Sequence, residues 1–344
     1  QQTVFRTAVS AVIILILVCV MYKTAQNQEP ITATSFKLNT VVKITIYDCA
    51  DQEILEEAFR LCDTYEKIFS RTHRDSELYK LNHGLLPEEN GAYKVSESLA
   101  QLVSKGLSYS ELSDGAFDVS IGPLSSLWDF SSGEHAVPSQ EEIDRAKMLV
   151  GYQDVSVNDQ TIDLKKGMSL ELGAIAKGYI ADRIKEFLIS KGVKSAVIDL
   201  GGNVLCIGGR TDGNPFHIGI QSPFEERNQT VGMIEITDQS VVSSGVYEKY
   251  FKKDGRLYHH ILDPNTGYPA DSGLISVTIV CDDGWLSDGL STACFVLGYE
   301  DSLSLLETYQ AEAVFVTEDK EVIVTDGLKD MFTLTDSSYE QVEE

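Results

Sequence analysis

The sequence lacks paired cysteines and clustered basic residues. Its six cysteines are scattered, with no C-x-x-C pair and no zinc-like spacing, so we expect buried free thiols and not a disulfide framework or a zinc site. The 53 acidic residues against 28 basic give a formal net charge of −25 at pH 7. No Lys/Arg cluster offers contacts for a nucleic-acid backbone. We therefore expect no nucleic-acid partner.

Several common catalytic and nucleotide-binding signatures are also missing. The glycine pairs Gly201-Gly202 and Gly208-Gly209 match neither G-x-G-x-x-G nor G-x-x-x-x-G-K-[ST]. Their surroundings therefore do not predict a dinucleotide fold or a P-loop, and turn or packing roles are favoured. The chain also has no G-x-S-x-G and no H-E-x-x-H, which argues against the hydrolases and metalloproteases that carry them.

The N-terminus does contain a long apolar run. Arg6 precedes the run Ala8–Tyr22, and Lys23 follows it. The run is short for a membrane-spanning helix, so we predict a signal peptide or an uncleaved signal-anchor over residues 1–23. Cys19 leaves lipidation open, although Val18 stands where a small residue is expected before a lipidated cysteine.

The rest of the chain has the composition of a globular protein. It is 43% hydrophobic and 24% charged, which allows a large core. We predict a polar linker over residues 24–34, one large α/β domain over 35–330, and an acidic tail over 331–344 whose last ten residues are frayed.

Hydrophobic periodicity places helices and strands along that domain. The principal predictions are a strand at Phe36–Tyr47, a helix at Asp51–Phe69, a helix at Tyr179–Ser190, a strand at Ser195–Leu200 and a helix at Gly284–Leu297. Strands alternate with helices, which indicates α/β organisation.

One predicted hairpin carries a histidine to a rigid turn. Two alternating runs, Tyr247–Lys252 and Leu257–Leu262, flank Asp254-Gly255, a sequence that suits a tight turn. The second run delivers His260 to the turn Asp263–Gly267, in which a proline fixes φ. A titratable imidazole beside a carboxylate and a hydroxyl is typical of an active-site edge. An ordinary Asp-Pro turn explains the segment equally well.

Two further segments offer oxygen and phosphate ligands. Asp288 and Thr292 lie four residues apart on a predicted helix, so their oxygens share a face and suit Mg²⁺. Glu171 and Lys177 flank Gly173-Ala174-Ile175 at the entry to another helix, where carbonyl groups could ligate and the lysine could meet a phosphate. The plainer interpretations are a helix with a polar first turn and a small-residue packing site with a surface lysine.

Taken together, five separated motifs resemble the ApbE family, the FAD:protein FMN transferases. The resemblance runs from about Ser35 to Thr325. It is carried by Ser70-Arg71 with Asp75-Ser76-Glu77 and Leu81-Asn82, by Asp114–Asp118 with Gly122-Pro123-Leu124 and Trp128, by Leu172–Gly178 with Asp182, by Ser244-Gly245 with Tyr247 and His260–Pro269, and by Ser287–Thr292.

The resemblance implies a fold, a reaction and a partner. It implies one large mixed α+β domain related to the T-fold. Such enzymes use Mg²⁺, split the pyrophosphate of FAD, attach FMN through a phosphoester to a Ser or Thr of a partner protein, and release AMP. The N-terminal segment would then tether the domain at the extracytoplasmic face, near a membrane redox subunit that serves as acceptor.

The resemblance also implies site residues. The metal ligands would be the Ala174 carbonyl, Asp288 and Thr292. His260 would be the general base, with a pKa near the unperturbed value of ~6.5. The FAD pocket would be lined by Leu38, Thr72, Ala116, Phe117, Asp118, Glu171, Lys177, Asp182, His260 and Leu262.

Two departures from the family pattern leave alternatives open. Thr72 stands where many members have a tyrosine that stacks on FAD, which predicts weaker FAD retention or a substitute aromatic such as Phe117. Leu38-Asn39-Thr40 replaces the common Met-Gly-Thr. The alternatives are a Mg²⁺-dependent FAD pyrophosphatase and a non-catalytic FAD-binding lipoprotein.

Overall fold

The computed structural model of the chain describes residues 29–128, 130, 135–225 and 229–342. The predicted signal or anchor segment over residues 1–23, with Cys19, lies outside the described residues. In the part of the chain that is described, no helix is both long and apolar enough to cross a membrane.

Eight α-helices are described, together with two short 3₁₀ helices at Tyr152–Asp154 and Asp326–Leu328. The α-helices are α1 Gln52–Phe69, α2 Glu77–Asn82, α3 Glu97–Leu112, α4 Gly122–Leu127, α5 Gln140–Lys147, α6 Ala176–Ser190, α7 Gly284–Leu297 and α8 Tyr299–Tyr309.

The described residues also form eighteen strands. They are β1 Ile31–Lys37, β2 Thr40–Ile46, β3 Glu88–Glu89, β4 Ala92–Lys94, β5 Val155–Asn158, β6 Thr161–Leu164, β7 Ala196–Leu200, β8 Asn203–Ile207, β9 Phe216–Gln221, β10 Thr230–Ile236, β11 Ser240–Gly245, β12 Tyr250–Lys253, β13 Arg256–His259, β14 Leu274–Cys281, β15 Glu312–Thr317, β16 Glu321–Val324, β17 Phe332–Leu334 and β18 Glu340–Val342.

A nine-stranded sheet forms the centre of the fold. Its strand order is β1-β2-β7-β8-β11-β14-β15-β16-β18. The β16–β18 pair is parallel and the other pairs are antiparallel. The predicted mixture of helices and strands is confirmed, and the antiparallel pairing makes the architecture α+β. Smaller sheets are β17-β10-β9, β3-β4-β6-β5 and the hairpin β12-β13.

Side chains alternate between the two faces of the central sheet, and each face packs against a core of its own. In β8, Leu205 and Ile207 join the large core beneath the helices, whereas Cys206 joins a second core. That second core lies against the β17-β10-β9 sheet, which contributes Ile220 and Ile234. The helices therefore pack on one face of the central sheet and the three-stranded sheet on the other.

A third apolar cluster holds the predicted histidine hairpin in place. Trp128 packs on Tyr258, with ring centroids 5.7 Å apart, and donates from its indole N–H to the carbonyl of Gly267 at 2.8 Å. Gly267 has φ +77°, and a Cβ there would lie 2.5 Å from Ile143 Cγ2. The Asp263–Gly267 turn is therefore rigid, as its sequence predicts, and only glycine fits at its last position.

The prediction of one strand at Phe36–Tyr47 is wrong, because the chain forms two strands there. The first of them also overlaps the end of the predicted linker 24–34. The chain forms a hairpin of β1 and β2, with Lys37 paired to Thr40 across the two residues Leu38 and Asn39. Both have positive φ, 53° and 58°, a turn geometry usually carried by Asn-Gly. Because no glycine or proline marks the turn, the apolar alternation runs through it unbroken. The first described strand therefore begins at Ile31, earlier than the predicted start of the folded part near Ser35.

The acidic tail predicted over residues 331–344 contains two strands, so the fraying predicted for the last ten residues is wrong for residues 340–342. β17 pairs with β10, and β18 pairs with β16. Phe332 and Tyr339 are each only 7% exposed. These two aromatic residues anchor a segment whose acidic composition alone suggests a solvated end.

Candidate active site

The N-terminal turns of helices α6 and α7 cross in direct backbone contact. A Cβ on Gly178 would lie 2.1 Å from the carbonyl oxygen of Gly284, and one on Gly284 would lie 2.7 Å from the carbonyl oxygen of Gly178. No L side chain fits at either position without moving backbone atoms. The two glycines therefore allow the N-termini of the two helices to meet in direct backbone contact.

Each of these helices is capped by an aspartate of the other. Neither has a side-chain cap from its own N-cap residue. The backbone N–H of Gly178 donates to Asp288 Oδ2 at 2.9 Å, and the N–H groups of Gly284 and Trp285 donate to the two oxygens of Asp182 at 2.7 and 2.9 Å. These hydrogen bonds satisfy orphan helix donors and complement both helix dipoles.

Asp182 is thus engaged at both oxygens as a structural cap. The sequence places it in the implied FAD pocket, but the structure assigns its carboxylate to the start of α7. Burial raises the pKa of Asp182 to about 6, against the lowering effect of the two backbone hydrogen bonds.

Asp288 and Thr292 lie together on one face of α7, as their spacing predicts. Asp288 is only 4% exposed, and burial raises its pKa, while the Lys177 ammonium opposes that shift. One turn later, Thr292 Oγ1 lies 3.3 Å from Ser244 Oγ at the end of β11, and Ser244 Oγ also meets Ser291 Oγ at 2.7 Å. The result is a buried carboxylate next to a row of hydroxyl groups.

Ala174, the third implied metal ligand, lies in the turn that enters α6. The N–H of Ile175 donates to the carbonyl of Leu172 at 3.0 Å and closes this turn. Ala174 is half-buried and lies four residues before Gly178, whose amide binds Asp288. The described residues contain no group of three His, Cys, Asp or Glu side chains placed to hold a metal. The implied set is of another kind, with one carboxylate and two neutral oxygens.

His260 follows directly after β13. Its backbone N–H donates to the carbonyl of Lys249 at 3.1 Å, and its ring Nδ1 is buried without a hydrogen-bond partner among the described residues. Burial, aided by the Lys249 ammonium and with a smaller effect from Lys177, lowers the pKa of His260 to about 3. The expected value near ~6.5 is therefore wrong for this environment, and the imidazole is neutral at physiological pH.

Lys177 lies in the first turn of α6. Its positive charge opposes the burial-driven rise of the Asp288 pKa and makes a small contribution to the lowered pKa of His260. A half-buried lysine on the first turn of a helix, beside a carboxylate, is well placed to meet an anionic group. The structure therefore places Asp288 and Thr292 on one face of α7 and puts Lys177 within electrostatic reach of both Asp288 and His260.

An ion pair that sequence reasoning missed ties two loops to helix α4. Arg71 Nε lies 2.5 Å from Glu171 Oε2, and Arg71 Nη1 donates to Ser126 Oγ at 2.7 Å. Glu171 Oε1 accepts from the backbone N–H of Gly173 at 2.9 Å. Glu171 therefore braces the turn before α6, and Arg71 fixes the loop that carries the exposed Thr72. No local pattern around Arg71 reveals its partner.

The run Ala116-Phe117-Asp118 turns its side chains inward. Asp118 accepts from the backbone N–H and the hydroxyl of Ser120, both at 2.7 Å, and from the N–H of Tyr152 at 3.1 Å. Burial raises the pKa of Asp118. Phe117 is 4% exposed and packs on Tyr109. Its role as a substitute for the aromatic residue missing at Thr72 stays a prediction.

The two implied leucine contacts lie in different settings. Leu38 is half-buried at the turn of the β1–β2 hairpin, with φ 53°, which is costly for a non-glycine residue. Leu262 is 5% exposed and belongs to the cluster around Trp128. Leu38 therefore lies in a half-buried turn at the surface, whereas Leu262 lies in the interior.

Comparison with known proteins agrees with this arrangement. The profile of the ApbE family matches residues 38–315 of the chain. The chain belongs to the ApbE family.

Sequence relatives of ApbE type cover most of the chain. It is 35% identical over 297 residues to an FAD:protein FMN transferase of Klebsiella pneumoniae (strain 342), covering 85% of this chain and 91% of that protein. It is 34% identical over 302 residues to an FAD:protein FMN transferase of Treponema pallidum (strain Nichols), covering 83% of each.

Solved ApbE structures share the fold. The crystal structure of the ApbE protein of Thermotoga maritima superposes with a TM-score of 0.80 at 32% identity, covering 87% of this chain and 98% of that one. The flavin transferase ApbE of Vibrio cholerae gives a TM-score of 0.75 at 26% identity, covering 90% of this chain and 98% of that one. The expected single large domain of the ApbE type is thus confirmed.

Proposed function

We propose that this chain is a Mg²⁺-dependent FAD:protein FMN transferase. The observation that supports the proposal is the crossing of α6 and α7, where Asp288 binds the start of α6 and lies one turn before Thr292, in a chain whose relatives are named FAD:protein FMN transferases. The reaction breaks the pyrophosphate of FAD, joins FMN to a Ser or Thr oxygen of an acceptor protein, and releases AMP.

The donor set fits Mg²⁺. Asp288, the Thr292 hydroxyl and the Ala174 carbonyl offer only oxygen atoms, which a hard cation prefers. Asp288 is buried without a paired side chain among the described ion pairs, and a carboxylate in that position is stabilised by a cation. When bound there, Mg²⁺ would neutralise the charge of the pyrophosphate.

The protein's own side chains would bind the phosphate and accept the proton. Lys177 would bind a phosphate oxygen beside the first turn of α6. His260, already neutral, would accept the proton of the acceptor hydroxyl as that oxygen attacks phosphorus. A bound pyrophosphate would raise the low pKa of His260, because a nearby negative charge favours the imidazolium, and would so make the ring a stronger base during the reaction.

The acceptor and the location are part of the proposal. The acceptor would be a membrane redox subunit with an accessible Ser or Thr. The apolar N-terminal segment would keep the domain on the extracytoplasmic face of the membrane, close to that subunit. Support for this comes from the sequence of the segment alone.

The product ratio tests the proposal. The purified protein would be incubated with FAD, Mg²⁺ and a candidate acceptor, and AMP and free FMN would be separated chromatographically. A transferase releases AMP while FMN stays on protein. Equal amounts of AMP and free FMN would instead identify a pyrophosphatase, and intact FAD bound without turnover would identify a flavin-binding protein.

A further inference from the structure

Asn203 is a fully buried amide whose polar atoms lack partners. It is the first residue of β8 and is 0% exposed. Neither its Oδ1 nor its Nδ2 makes a hydrogen bond within the described part of the chain. A buried amide without partners is costly, and native structures rarely keep one without a role. Both polar atoms of Asn203 are therefore free to bond a group that comes within reach.

Strand register places Asn203 under helix α7. Asn203 pairs with Val242 of β11, and Ser244 lies two residues further along the same face of that strand. Helix α7 packs on β8 and on β11. Ser244 Oγ reaches Thr292 Oγ1 at 3.3 Å. Asn203 thus lies on the sheet face that also carries the contact to Thr292.

The same helix carries Asp288 one turn before Thr292. Asn203 contributes to lowering the pKa of Asp288, which agrees with a close approach of the amide to the carboxylate. Asp288 Oδ2 already accepts from the N–H of Gly178. An amide donor on the Asp288 carboxylate would fix the rotation of that group about its Cβ–Cγ bond.

We propose that Asn203 is a positioning residue of the cation site. Its N–H₂ group holds the Asp288 carboxylate in the orientation that binds Mg²⁺, and its carbonyl oxygen accepts a hydrogen bond from a water that the hydrated cation retains. Mg²⁺ dehydrates reluctantly and keeps several waters, so a buried acceptor next to its site has a partner only when the cation is present. The inference rests on the proposed function, because it requires the Mg²⁺ site.

The decisive variant is Asn203→Leu, which keeps the branched arrangement of heavy atoms and removes both polar groups. The full-length protein, solubilised in detergent and free of FAD, would be titrated with MgCl₂ in a calorimeter. We expect Mg²⁺ affinity to fall about 10- to 100-fold, as for other residues that orient metal ligands. The unfolding temperature without Mg²⁺ should stay the same or rise, because two unpaired buried groups are lost.

Two further variants separate this role from a structural one. Asn203→Asp keeps an oxygen acceptor and should bind Mg²⁺ more tightly than Asn203→Leu, so it also provides a measurement if the leucine variant fails to fold. Ser222→Ala removes a different kind of buried polar group, a hydroxyl that has no partner among the described residues. Ser222 lies after β9 and belongs to neither α6 nor α7. It should leave Mg²⁺ affinity unchanged.

The possible outcomes are distinct. Equal Mg²⁺ affinity in the wild type and Asn203→Leu would overturn the role of Asn203 and leave the Mg²⁺ site standing. A large drop in the unfolding temperature of Asn203→Leu without Mg²⁺ would also overturn it, since it would show a structural role. No Mg²⁺ binding by the wild type would overturn the proposed cation site and the inference together.

Discussion

Replacing Gly178 by alanine tests whether the crossing of α6 and α7 organises the site. A Cβ at this position would lie 2.1 Å from the carbonyl oxygen of Gly284, 2.5 Å from its carbonyl carbon and 2.8 Å from Trp285 Cα. All three are backbone atoms of the first turn of α7, so no side chain can rotate away. The two helix N-termini would have to separate by roughly 1 Å to restore normal contact.

The expected loss of stability follows from three contributions. Overpacking of this kind costs about 1–3 kcal/mol. Separation also weakens the three hydrogen bonds by which Asp182 and Asp288 cap the helices, each worth about 0.5–2 kcal/mol. Alanine in a helix recovers about 0.5–1 kcal/mol relative to glycine. We therefore expect Gly178→Ala to lower the free energy of unfolding by about 2–4 kcal/mol and to weaken Mg²⁺ binding.

Urea unfolding followed by circular dichroism measures this effect. Gly192→Ala is a matched control after the C-terminus of α6, because a Cβ there meets nothing within 4 Å and its φ of +88° costs about 1 kcal/mol. The reasoning is refuted if Gly178→Ala destabilises the protein no more than Gly192→Ala does.

Three further predictions concern single residues. Arg71→Ala should lower the free energy of unfolding by about 0.5–1.5 kcal/mol, because it breaks the partly exposed ion pair with Glu171. Adding Glu171→Gln to that variant should lower the free energy of unfolding little further, which a thermodynamic cycle from urea unfolding measures. The pKa of Asp182 is raised on folding from 3.8 to about 6, so the folded state takes up a proton at low pH and this stabilisation is lost as pH rises through 6. Relative to Asp182→Asn, the wild type should therefore lose about 2 kcal/mol of stability between pH 4 and pH 7, and equal pH profiles in urea would contradict the burial argument. The low pKa of His260, about 3, predicts that kcat/KM for FAD shows no inflection near pH 6.5 from this residue; an inflection there that disappears in His260→Gln would contradict the assignment.

The sequence alone predicts the parts of the site that depend on local spacing. Helix α7 has the bounds predicted for it, and the four-residue spacing brings Asp288 and Thr292 to one face. The Asp254-Gly255 turn forms between Lys253 and Arg256, as its dipeptide indicates. Both features arise from short-range backbone geometry, which local sequence encodes.

The parts that could not be predicted depend on contacts between distant segments. Asp182 looks like a pocket carboxylate in sequence, yet it caps a helix that begins more than a hundred residues later. The pKa of His260 depends on burial and on Lys249, neither of which its own motif reveals. Asn203 follows two turn glycines and shows no motif of its own. Only strand pairing places it beneath α7.

The intact mass of a candidate acceptor, after incubation with the protein, FAD and Mg²⁺, tests the central claim most directly. We predict that the acceptor gains one FMN, that mutation of its target Ser or Thr to Ala abolishes the gain, and that Asp288→Ala of the enzyme abolishes it as well. Release of AMP and free FMN with no gain of mass on the acceptor would contradict the transferase assignment. A full gain with Asp288→Ala would contradict the site described here.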